Sequence, residues 1–277
     1  MNEHVQDQPA GNPEIEPGLR WAMAVAVVVV LGGGLLLFLP ERATRWVWPI
    51  GPFNSRFLGA IYLAELAGGL VMVVIGRQLP SRAVIPVALT FTGVVTLASF
   101  ISLSDFDFDR RGPWAWFVAY TAFTLILPFY LGGLRRGPQP PPTSPGRRRW
   151  FLADGALLCA YGLGLLVAPE PLTEFWPWPI DAFHGRIYSA VFLAFGAGSL
   201  VLAGRSAPVE LRTIGLSRLV FGGLSIAGLA LADSVVGTVD YGAPGSVVWV
   251  VAMAAIAAVG VVMLGRPPAG RPVSPAG

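Results

Sequence analysis

The chain of 277 residues carries 19 arginines and no lysine against 16 acidic residues, is 54% hydrophobic and 13% charged, and has a mean hydropathy of +0.64. That balance excludes an ordinary soluble domain, and arginines scattered among short loops make no concentrated basic face for nucleic acid. A single cysteine, Cys159, excludes an intrachain disulfide, and two histidines as far apart as His4 and His184 have no metal or haem spacing. No catalytic, cofactor or metal site is therefore assigned.

Residues 1–18 hold four acids and three prolines without apolar periodicity and read as a disordered tail. The first apolar run, 19–39, has neither a basic start nor a small-residue cleavage site, so it reads as a retained membrane helix. Further spans are predicted at 53–76, 83–104, 113–134, 150–168, 183–204, 209–232 and 244–265, each near the ~20 residues needed to cross the hydrocarbon. The fold class is thus an all-α polytopic membrane protein with eight transmembrane helices. Proline-rich residues 137–148 read as an extended linker and 267–277 as a second disordered tail.

One motif occurs twice. Trp46, Trp48, Pro49, Ile50, Phe53 and Arg56 recur as Trp176, Trp178, Pro179, Ile180, Phe183 and Arg186, all at an offset of 130. Upstream, Arg20-Trp21 and Pro40-Glu41 recur as Arg149-Trp150 and Pro169-Glu170 at an offset of 129. The pattern predicts tandem four-helix repeats over 19–136 and 149–266. Because four is even, both copies enter from the same side and relate by a pseudo-two-fold axis along the membrane normal.

Twelve arginines fall on the side of the termini, six on the other, and Arg218 inside a span, which predicts cytoplasmic termini. Arginine without lysine fits GC-rich codons and hence a bacterial plasma membrane. The repeated tryptophans are expected at the outer headgroup boundary, with Arg56 and Arg186 one turn into their helices and each within reach of an acid of its own copy. From these arginines run small-residue ridges, Ala60, Ala64, Gly68 and Ala190, Ala194, Gly198, which predict that the second and sixth helices pack on each other. The motif residues Trp46, Trp48, Arg56, Trp176, Trp178 and Arg186 form a candidate outer-face site, either structural or for an anion.

Three ionisable residues lie inside spans: Glu65, Asp154 and Arg218. None has a charged counterpart in the other copy. Intramembrane charge is costly unless paired or hydrated, so these residues form a candidate polar site. Counting from the predicted helix ends brings Glu65 and Arg218 to similar depth and leaves Asp154 about 6 Å from the inner boundary, so Glu65 and Arg218 are expected to meet. The leading functional expectation is binding of a small molecule or lipid between the repeats, with carriage across the bilayer as its extension. The alternatives are a structural or assembly subunit for a membrane-protein partner, and a membrane enzyme acting on a lipid or isoprenoid through Glu65.

Overall fold

The computed structural model describes residues 12–39, 46–137 and 139–265. Its helices are α1 (Pro17–Phe38), α2 (Pro52–Ile75), α3 (Gln78–Ile101), α4 (Arg111–Arg136), α5 (Pro145–Val167), the short α6 (Pro169–Thr173), α7 (Ala182–Gly204), α8 (Pro208–Val236) and α9 (Pro244–Leu264). All but α6 are long and apolar enough to cross a membrane. The protein is an all-α, multi-pass membrane protein.

Proline sets many of the starts. Pro17, Pro52, Pro145, Pro208 and Pro244 open α1, α2, α5, α8 and α9 in the first turn, where the missing N–H would have no intrahelical partner and the fixed φ is already helical. This moves α5 five residues upstream of its expected start, so Arg147 and Arg148 are helical rather than part of an extended linker. Gly76 and Gly237 end α2 and α8 in the left-handed region, at φ 60° and 66°.

Four helices form the centre. α2 packs against α8 and α3 against α7, while α1, α4, α5 and α9 lie outside them, on α2, α3, α7 and α8 respectively. The ridge prediction is therefore corrected: a side chain at Gly68 would meet Ser217 of α8, and one at Gly198 would meet Val87 of α3. Small residues do permit close approach, but to the helix that follows the ridge helix in the other half of the chain.

Residues 13–15 of the expected disordered tail and 141–143 of the expected extended linker are both tied to helix turns, and the second expected tail, 267–277, lies outside the described residues. Residues 13–15 run antiparallel to the α2–α3 turn, with Ile15 N–H donating to Gly76 O at 3.1 Å and Gln78 N–H to Pro13 O at 3.0 Å. Residues 141–143 do the same at the α7–α8 turn, through Thr143 N–H to Gly204 O and Ser206 N–H to Pro141 O. Backbone polar groups of these turns need partners, and the proline-rich segments supply them. Just inside, Arg82 of α3 joins α8 by donating to both carboxylate oxygens of the fully buried Glu210, at 2.7 and 3.0 Å.

At the opposite end the halves exchange contacts. Trp48 donates to His184 Nε2 at 3.2 Å, and Trp178 donates to Asn54 Oδ1 at 2.7 Å. Trp48 also meets Phe183 edge-on at 4.9 Å, and Trp178 stacks on Phe53 at 5.6 Å. Trp116 of α4 completes one indole triad with Trp46 and Trp48, and Trp249 of α9 completes the other with Trp176 and Trp178. All six indoles are buried. The expected headgroup placement is thus wrong for the four repeated tryptophans, because each indole N–H or ring face is used inside the protein; the exposed tryptophans are Trp21, Trp114 and Trp150.

Candidate functional site

Arg218 does not meet Glu65. It donates from Nη1 to Asp154 Oδ1 at 3.0 Å and from Nη2 to Asp154 Oδ2 at 2.8 Å, a two-pronged pair with 1% exposure on the arginine side and 17% on the aspartate side. Nη2 also donates to Ser199 Oγ at 2.7 Å and Phe195 O at 3.1 Å, and the guanidinium lies 5.5 Å over the Phe195 ring. Ser199 in turn donates to Asp154 Oδ2. The earlier start of α5 explains the new partner. Asp154 is nine residues from Pro145 and Arg218 ten from Pro208, so each lies roughly 14–15 Å along its helix and they stand level. The pair is a two-pronged intramembrane bridge whose carboxylate accepts three hydrogen bonds, while Arg218 Nε is buried without an acceptor among the described residues.

Glu65 stands apart. It lines a partly open cavity of about 400 Å³ bounded by α1, α2, α3 and α4, within the first half of the chain rather than between the halves as expected. The walls are apolar: Met23, Val27 and Val30 from α1, Phe91 from α3, Ala119, Phe123 and Leu127 from α4. Among the described residues the ion pairs are Arg77–Glu14, Arg82–Glu210, His184–Asp181 and Arg218–Asp154, so the Glu65 carboxyl has no cationic partner there. Being ten residues from the Ile75 end of α2, it lies about 15 Å along that helix, near mid-membrane.

Two further groups share the cavity wall. Tyr62 lies one turn before Glu65 on the same helix face, and its hydroxyl is 2.7 Å from that of Tyr120 in α4. Thr92 of α3 also lines it. Above them Trp46 contributes its ring, and its buried Nε1–H has no hydrogen-bond acceptor among the described residues. The three-residue spacing of Tyr62 and Glu65 was visible in the sequence, but the tyrosine reads there as one more apolar residue.

The outer motif gives a different picture from an anion site. Arg56 is 3% exposed, with its stem against Gly228 of α8, Nη1 donating to Pro52 O at 3.3 Å and Nε buried without an acceptor. Arg186 is half-buried and joins no ion pair among the described residues. The expected bridges to acids of the same half are not found there. Asp233 is engaged by Thr238 and Val239 N–H groups at the end of α8, and Glu41 lies outside the described residues. His184, set aside from sequence as having no metal or haem spacing, proves to be a link: its Nδ1 is 2.7 Å from Asp181 Oδ2, which orients the ring so that Nε2 accepts from Trp48. Burial pushes the Asp181 carboxyl up, but the hydrogen bonds from the His184 ring and N–H outweigh it and hold the group below the usual aspartate range.

Among the described residues no group of three or more His, Cys, Asp or Glu side chains is arranged to hold a metal ion. Comparison with protein-family models, with curated proteins and with solved structures found no match.

Proposed function

We propose that this membrane protein binds a lipophilic small molecule or lipid inside its first four-helix unit, in the cavity between α1 and α4. One observation carries the reading: a mid-membrane space of about 400 Å³, within the range of small-molecule sites, is apolar except for a carboxyl and a tyrosine pair that converge on it. The chain is a tandem duplication in this reading, supported by the constant sequence offsets and by the exchanged Trp48–His184 and Trp178–Asn54 contacts. The second unit then serves as the support on which the first is built. A bacterial plasma membrane with both termini cytoplasmic fits the arginine distribution.

Extraction in a mild non-ionic detergent followed by native mass spectrometry tests the binding role. The wild-type chain is expected to retain a lipid-sized adduct that Ala119→Phe, which fills the cavity from α4, removes. An adduct unchanged by Ala119→Phe sinks the reading, and a retained protein partner with no small adduct favours the assembly-subunit alternative. Orientation is tested separately in a Cys159→Ala background: Asp240→Cys is expected to react with an impermeant maleimide in intact cells, and Arg148→Cys only after lysis.

A further inference from the structure

The polar inventory of the cavity restricts what can occupy it. Among the described residues its lining contains one acidic side chain, Glu65, and no arginine or histidine, and the chain has no lysine. An anionic headgroup, whether carboxylate or phosphate, would meet a carboxyl in an apolar space with no compensating cation, a juxtaposition that hydrocarbon surroundings make costly. Fatty acids and acidic lipids are thereby disfavoured.

Donors are equally scarce. The 2.7 Å contact between Tyr62 and Tyr120 consumes one hydroxyl hydrogen, so the pair presents a single free hydrogen and several lone pairs. Thr92 keeps its hydroxyl 3.4 Å from Leu89 O, a weak internal bond. Besides the tyrosine hydrogen and the buried Trp46 Nε1–H, the site offers mostly acceptors: two carboxyl oxygens, two phenol oxygens and the threonine oxygen. It also offers π faces, for a continuous aromatic wall runs from Tyr62 to Trp46 (5.7 Å), Trp46 to Trp116 (5.9 Å), Trp116 to Tyr120 (4.3 Å) and Tyr120 to Phe91 (6.3 Å). A carboxyl, surplus oxygen acceptors and ring faces together are the chemistry that receives an ammonium, which brings three donors and a charge that both the carboxylate and the ring quadrupoles attract.

Building on the binding role proposed above, we infer that the ligand is a lipophilic amine whose protonated nitrogen sits at Glu65 beside the Tyr62–Tyr120 pair while its hydrocarbon part lies along the α1 and α4 walls. The ion pair forms only when the ligand is present, which accounts for an intramembrane acid that has no cationic partner among the described residues.

A headgroup series of constant chain length tests this. Dodecylamine, dodecanol and dodecanoate are titrated onto the whole protein in non-ionic detergent at pH 7, and one-to-one binding is followed by native mass spectrometry. Dodecylamine is expected to bind about tenfold or more tighter than dodecanol, as a partly desolvated charge pair gives, and dodecanoate more weakly than either. Glu65→Gln is expected to lower amine affinity about tenfold, to near that of the alcohol, and to change alcohol affinity by a much smaller factor. Equal affinity for amine and alcohol, or tighter binding of dodecanoate, overturns the amine assignment while alcohol binding blocked by Ala119→Phe leaves the cavity reading standing. No binding of any probe to the wild-type chain overturns both. The wild-type series decides the point even where Glu65→Gln fails to fold.

Discussion

The two halves of the chain place different chemistry at matching positions. Where the first half has Glu65, the second has Phe195, fully buried against Phe221 and beneath the Arg218 guanidinium. Tyr62, which shares its hydroxyl with Tyr120, corresponds to Phe192, which packs edge-on to Tyr161 at 4.9 Å. Gly33 faces the cavity and has only the Tyr62 and Trp46 rings within 4 Å of an added Cβ, whereas at Gly162 an added Cβ would lie 2.7 Å from Leu193 Cγ and 3.0 Å from its backbone nitrogen. α5 and α7 are closed together where α1 and α2 help enclose a space. Each half carries a mid-membrane acid, but Asp154 has its cation inside the protein and Glu65 has none among the described residues. The lesson is that a charge within the bilayer is classified by its partners, and depth alone does not distinguish a brace from a site.

The largest expected effect removes the brace. Arg218→Met leaves Asp154 uncompensated and is expected to cost about 3–5 kcal/mol in detergent unfolding, with most of it recovered in the Asp154→Leu, Arg218→Met double variant. Glu65→Gln is expected to shift stability by under about 1 kcal/mol; equal costs for Glu65→Gln and Arg218→Met would erase the distinction between the halves.

Giving the first half the residue of the second is the next test. Glu65→Phe replaces an unsatisfied polar group with apolar volume in a space that can accept it, and is expected to raise stability by about 1–3 kcal/mol, read as a higher melting temperature. A lower melting temperature would mean that the cavity cannot take a ring.

A finer comparison uses the matched indoles Trp46 and Trp176. Trp176 Nε1 donates to Tyr161 Oη at 2.9 Å, while Trp46 Nε1 has no acceptor among the described residues. Both Trp→Phe changes remove the same volume, so Trp176→Phe is expected to cost about 1 kcal/mol more than Trp46→Phe in unfolding measurements. Equal costs would show that the Trp176 bond contributes nothing net.

The smallest effect concerns Asp181, which caps α7 through His184 N–H and also holds the His184 ring. Its carboxyl is depressed in the folded protein, so its contribution is complete above the unfolded value of ~3.9 and is lost as pH falls through the folded value. Asp181→Ala is expected to cost up to about 1 kcal/mol at neutral pH, and the gap to wild type should close in acid. A gap that widens on acidification would reverse the sign.

Much of the fold was legible because membrane spans announce themselves by length and apolarity, and every predicted span overlaps a helix. The pairing of charges was not. Starting α5 at Trp150 instead of Pro145 misplaced Asp154 by five residues, about 7 Å of helix, enough to exchange its partner. The tryptophans misled for another reason: aromatic residues suit both a headgroup boundary and a buried interface, and only the positions of Asn54 and His184 across the midline decide between them. Nothing in residue type or spacing foretold that α2 would pack on α8, because that choice depends on how two halves are set against each other.

The exchanged indole bonds also bear on how the chain is assembled as it is made. The acceptor for Trp48 is His184, synthesised 136 residues later. At common elongation rates that interval is about 7–27 s, during which α1 to α4 enter the bilayer with the Trp48 N–H unmatched and the face of α2 that belongs to α8 uncovered. The nascent first half is an open intermediate by construction, and its protection during those seconds falls to the insertion machinery and surrounding lipid. Ribosome stalling between α4 and α7 would therefore strand a species recognisable to membrane quality control.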